Sequence, residues 1–177
     1  MKRLLFLIIL FGLLVLEGVA IDLLPAILTS SETLIVPHWV LIFLIIITLF
    51  YDTSETFFSI IYGVIFGFLI DVVYTDVLGV YMFVYPFTLY IVHFLKRLLQ
   101  TNLTMTIIIT SIGVLITELL LFLIYSIVDI VDIRMTAFLL HRFIPTLLAN
   151  ILFLIPTYLL SVKHMEKWSN EQFGRSL

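Results

Sequence analysis

The run LTMTIIITSIGVLITELLLFLIYSIV, residues 103–128, contains one residue of the Asp, Glu, Lys and Arg types, Glu118. A helix that crosses a hydrocarbon core of about 30 Å needs roughly 20 apolar residues, and this stretch supplies more. Residues 137–162, AFLLHRFIPTLLANILFLIPTYLLSV, form a second such run, interrupted by Arg142. Both are long enough to cross with a tilt. Working outward, residues 4–24 form a third run broken by Glu17 and Asp22. Lys2-Arg3 and Gly18-Val19-Ala20 also permit a signal-peptide reading of that run; the nearness of Glu17 and the membrane-like composition of the rest stand against it. Residues 34–50, 56–73 and 77–94 give three shorter spans, with Pro37 tolerated in the first turn of one and Pro86 expected to bend another. Short spans kink, thin the bilayer or are shielded by neighbours. The expected fold is all-α, a polytopic membrane bundle of about six transmembrane helices, with residues 1–177 as one domain.

Composition points the same way. The chain of 177 residues is 63% hydrophobic and 12% charged, against about 45–50% and 25% in average soluble domains. Its mean hydropathy is +1.26. A single soluble core of this length could not bury so much apolar surface, so lipid must solvate part of it. The net charge of −3 and the absence of any basic run beyond two residues give no sign of a nucleic-acid partner. With no cysteine, disulfides, thiolate metal sites and cysteine nucleophiles are all excluded.

Basic residues near span ends favour the cytoplasm. With six spans, Lys2, Arg3, Lys96, Arg97, Lys163, Lys167 and Arg175 share the side of both termini, and Arg134 lies opposite. Both termini are therefore expected to be cytoplasmic, with short outer loops.

Ionisable groups inside a bilayer are costly and mark function or a paired structural site. Glu17, Asp71, Glu118, Arg142 and Asn150 form the expected intramembrane polar cluster. The guanidinium of Arg142 suits a carboxylate, with Asp71 or Glu118 as its candidate partner. Two readings follow: a polar pocket open to the outside, or interfacial snorkelling plus one structural ion pair. Asn150, between Pro145 and Pro156, needs partners that freed backbone carbonyls can supply. Gly63 and Gly67 form Gly-x-x-x-Gly, a helix-packing face whose partner is another helix of the chain or a second protein. No His-Glu-x-x-His, Gly-x-Ser-x-Gly or Walker glycine loop occurs, and the four histidines, 38, 93, 141 and 164, fall on different segments. His141 beside Glu118 is the nearest approach to an acid–base pair, and no nucleophile accompanies it. The sixteen Phe and eight Tyr read as lipid-facing bulk and interfacial belt. No cofactor and no enzyme activity are expected.

Pro37-His38-Trp39-Val40-Leu41, then Gly63-Val64-Ile65-Phe66-Gly67-Phe68-Leu69-Ile70-Asp71, then Leu78-Gly79-Val80 resembles the bacterial rod shape-determining family MreD. The stretch from Asn150 to Pro156 looks like that family's last helix. The resemblance spans the chain, with the Gly63 to Gly79 block as its specific part, and it marks Gly63, Gly67, Asp71 and Gly79 as helix-packing or partner-interface residues. It implies a non-enzymatic partner of MreC in the elongation complex that directs lateral peptidoglycan synthesis, alongside other membrane proteins of that complex. The family's fold is similar to the substrate-binding subunit of energy-coupling-factor transporters, which makes a transporter subunit the alternative. Against it, Gly12, Gly18, Ala20 and Ala26 do not give the Ala-x-x-x-Ala spacing by which those subunits engage their coupling partner.

Overall fold

The computed structural model describes residues 2–23, 35–98, 102–129 and 134–174. Among them run six helical rods: α1 Lys2–Leu23, α2 Trp39–Tyr51, α3 Phe58–Tyr74, α4 Val80–Leu98, α5 Leu103–Ile127 and α6 Met135–Phe173. The last turn of α2, Ile47–Tyr51, and the Leu139–Phe143 turn of α6 are π-helical. By length and apolar composition α1, α5 and α6 can each cross a membrane, whereas α2 and α3 are apolar but shorter.

The sequence of α2 explains its place. Every residue from Val40 to Tyr51 is buried, and a helix apolar on all sides belongs at the centre. The other five rods all touch it. At about 1.5 Å per residue it is only about 20 Å long, short of a 30 Å core, but lipid does not set its length because protein surrounds it. Large apolar side chains face outward instead: Ile8 and Phe11 on α1, Ile61 and Phe68 on α3, Phe83, Phe87 and Phe94 on α4, Leu123 on α5, and Leu148, Leu152 and Leu159 on α6. An apolar exterior around buried Glu17, His38, Asp71, Glu118 and Asn150 is the inverse of a soluble domain. The chain is a helical membrane bundle.

The start of α1 and the end of α6 lie at one end of the bundle. Lys2 pairs with Glu171, the Tyr51 hydroxyl donates to Gln172 Oε1 at 2.5 Å, and Ser169 Oγ donates to the Tyr51 carbonyl at 2.9 Å. The guanidinium of Arg3 sits 4.1 Å over the Phe58 ring. Lys96 Nζ donates to the carbonyls of Thr48 at 2.8 Å and Asp52 at 2.6 Å, satisfying groups that a helix end leaves open. So the tail beyond residue 162 continues α6 as helix to Phe173 and docks on α2.

Two helices begin three or more residues later than the apolar runs suggest. Residues 35–38 are not helical, and α2 starts at Trp39 rather than 34, leaving Pro37 outside its first turn. A residue before proline is pushed away from helical backbone angles, and the local N–H groups find side-chain partners instead. Likewise α4 starts at Val80 rather than 77, after Gly79 with φ +98°, a left-handed conformation that glycine adopts without cost. Its helix continues through Pro86. The outer loop expected over residues 29–33 lies outside the described residues.

Candidate functional site

The α3–α4 seam is built on spacing. Gly63, Gly67 and Asp71 repeat every four residues, so they share one face of α3, and all three are buried. A Cβ added at Gly67 would lie 2.7 Å from the carbonyl carbon of Tyr81 and 2.9 Å from the Cα of Met82. Those are backbone atoms that cannot swing aside. At Gly63 the Cβ would meet Leu89 Cδ1 at 2.7 Å. The face therefore packs within the chain, on α4. One turn further, the Asp71 carboxylate accepts the N–H groups of Gly79 at 2.9 Å, Tyr81 at 2.9 Å and Met82 at 3.0 Å. These are open donors of the first turn of α4, and an anion there also suits the positive end of the helix dipole.

The polar centre lies at the end of the bundle away from the termini, where α2 begins. Backbone that is neither helix nor sheet must find other partners when sunk in a membrane protein. Here side chains of α1 and α6 supply them. Thr146 Oγ1 accepts from Val36 N–H at 3.1 Å, Asn150 Oδ1 from His38 N–H at 2.8 Å, and Glu17 Oε2 from Val40 N–H at 3.2 Å. Asn150 Nδ2 donates back to the carbonyls of Val36 at 2.9 Å and Thr146 at 2.8 Å. All the hydrogen-bonding groups of the Asn150 amide but one of its lone pairs are thus engaged.

Beneath this collar Glu118 of α5 is fully enclosed. Its Oε1 lies 2.8 Å from His38 Nε2, and its Oε2 accepts from Arg142 Nε at 2.8 Å. The carboxylate can only accept, which makes Nε2 of His38 the donor. On the other side of that ring, Nδ1 is 3.2 Å from the Tyr85 hydroxyl. Arg142 stands in the π turn of α6, its side chain 19% exposed, while His38 and Glu118 have none. A carboxylate held by a guanidinium and an imidazole meets the cost of burial by pairing. Nearby, Thr88 and Thr117 join α4 to α5 at 2.9 Å.

The sequence-derived cluster thus divides by task. Glu118 and Arg142 come together. Glu17 and Asn150 hold the start of α2, and Asp71 caps α4 rather than pairing with Arg142. His141 is exposed; the histidine at Glu118 is His38, which sequence reasoning did not place in the cluster. Nor did it single out Tyr85 or Thr146. The Pro37-His38-Trp39 signature was the available signal for His38. Chemically, both oxygens of the Glu118 carboxylate are occupied by donors.

A family model described as rod shape-determining protein MreD matches residues 1–168. The curated rod shape-determining protein MreD of Bacillus subtilis (strain 168) is 33% identical over 135 residues, covering 76% of this chain and 77% of that protein. No solved structure matches the chain.

Proposed function

The chain belongs to the MreD family of rod shape-determining membrane proteins, and on that premise we propose that it is a non-enzymatic scaffold of the bacterial elongation machinery. In this reading it sits in the plasma membrane, crosses it six times with both termini in the cytoplasm, and binds MreC in support of rod shape and lateral peptidoglycan synthesis. The observation that carries the reading is the engagement of three buried polar side chains in holding the fold. Glu118 is held on both oxygens, Asp71 accepts three N–H groups, and Asn150 binds three backbone groups. Polar groups engaged in this way hold the helices together and leave the displayed surface to act. The orientation is supported by Lys2, Arg3, Lys96 and Arg97 gathering at the end that carries the termini, as the positive-inside rule requires of a cytoplasmic face. Co-production with MreC and purification in mild detergent tests the partnership: a stable complex is expected, and a well-folded chain that never retains MreC overturns it.

A further inference from the structure

A slot runs along the seam between α1 and α6, above α2. Toward the end that carries the termini it is a cavity of about 390 Å³ between Phe6, Leu13, Phe43 and Ser161. Toward the opposite end a second cavity of about 370 Å³ lies between Ala20, Pro37, Trp39 and Ala149. Phe153 stands between the two and stacks on Trp39 with ring centres 4.7 Å apart, so the cavities lie end to end along one slot, with α2 beneath. At the terminus-bearing end α1 and α6 meet through the Lys2–Glu171 pair and through Phe6 and Trp168, whose ring centres are 5.8 Å apart.

We propose that this slot receives one membrane-spanning helix of a partner protein, an inference that rests on the scaffold reading above. Length argues for a helix. From Phe6 to Ala20 the α1 wall runs about 21 Å at the helical rise, whereas one leaflet of a 30 Å core is only about 15 Å deep. A lipid tail entering from one leaflet reaches only one of the two cavities, whereas one helix laid along the seam covers both. The walls argue likewise. Ala20, Ala149, Thr157 and Ser161 line them, and small or hydroxyl residues are what close helix approach in membranes uses. The floor adds a third reason. Ile35 and Pro37, both in non-helical backbone, border the second cavity, and such backbone is tolerated at membrane depth where protein covers it. The chemistry that fits is an apolar helix with small residues facing Ala20 and Ala149, and a hydrogen-bonding side chain facing Ser161 and His164.

The chain has no cysteine, which makes disulfide mapping clean. Single cysteines at Ile9, Ala149 or Leu160, in the slot, and at Phe87 or Leu123, on lipid-facing surface, are each combined with cysteines scanned through the membrane anchor of co-produced MreC, and membranes are then oxidised. The slot positions are expected to cross-link with a period near 3.6 residues along the anchor, at least about tenfold more than Phe87 or Leu123. Ala149→Trp with Ser161→Trp should abolish those cross-links; should that variant fail to fold, the cysteine scan decides alone. Co-purification of MreC with cross-links confined to Phe87 or Leu123 overturns the slot and leaves the scaffold reading intact. Loss of MreC altogether overturns the scaffold reading and this inference with it. Native mass spectrometry showing phospholipid retained by the unsubstituted protein and displaced by the tryptophans, without slot cross-links, assigns the slot to lipid and overturns the helix.

Discussion

Glu118 of α5 and Arg142 of α6 meet at 2.8 Å between Oε2 and Nε, with His38, the residue before α2, at 2.8 Å from the other carboxylate oxygen. Helices α5 and α6 and the segment leading into α2 are thus tied at one buried point, and removing a member strands a charge. Arg142→Leu should lower stability by about 3 kcal/mol, the scale for breaking a buried pair from one side. Adding Glu118→Gln should recover part of that loss, whereas adding Asp71→Asn, at a carboxylate occupied with α4, should not. Unfolding of the single and double variants in detergent gives the coupling energy. Equal recovery by either second substitution would place Arg142 between both acids.

The fit of Gly67 against the Tyr81 and Met82 backbone leaves no room for a side chain. Gly67→Leu should abolish folded yield, and Gly67→Ala should cost about 1–3 kcal/mol through overpacking. Phe68→Leu, on the exposed side of α3, should be near neutral. Folded yield by fluorescence size exclusion reports all of these, and a stable Gly67→Leu protein would show that α3 and α4 separate easily.

Asp71 answers three N–H groups at the start of α4. Replacing a capping residue by alanine typically costs about 0.5–2 kcal/mol, and Asp71→Ala should fall at the upper end because three donors lose their acceptor at once. Asp71→Asn, which keeps one acceptor oxygen, should lose less. Thermal unfolding of the two variants tests the order; an Asn variant as weak as Ala would assign the effect to charge alone.

The placement of the ends predicts accessibility. A cysteine at Ser54, in the loop beside Arg97, should be shielded from an impermeant thiol reagent added to whole cells, whereas one at Arg134 or Met135 should react. A fluorescent fusion at Leu177 should light up in the cytoplasm. Labelling of Ser54→Cys from outside would invert the orientation.

Much of the fold was legible because lipid imposes a strong rule. Apolar runs the length of a bilayer locate α1, α5 and α6 without any tertiary knowledge. The start of α2 was not legible, because its apolar pattern reaches back past Pro37 while its backbone is held by Glu17, Thr146 and Asn150 from distant parts of the chain. The cluster was half legible. Arg142 stands out as a cation in an apolar run, and Glu118 as an acid in another. His38 does not stand out, because α2 is buried on every side and no periodicity marks the direction of the residue that precedes it. Asp71 misled for another reason: an acid one turn from a loop can pair with a base or cap the next helix, and only the placement of Gly79, Tyr81 and Met82 decides.

The central claim is that the buried polar network holds the fold and performs no chemistry or transport. Complementation measures this directly: a strain lacking its own copy receives the neutral double variant Glu118→Gln with Arg142→Gln, and cell shape, folded protein level and MreC retention are scored together. The account predicts rods wherever the folded protein reaches normal level and retains MreC, with any rounding in proportion to lost protein. Round cells holding a normal amount of folded, MreC-bound variant would contradict it.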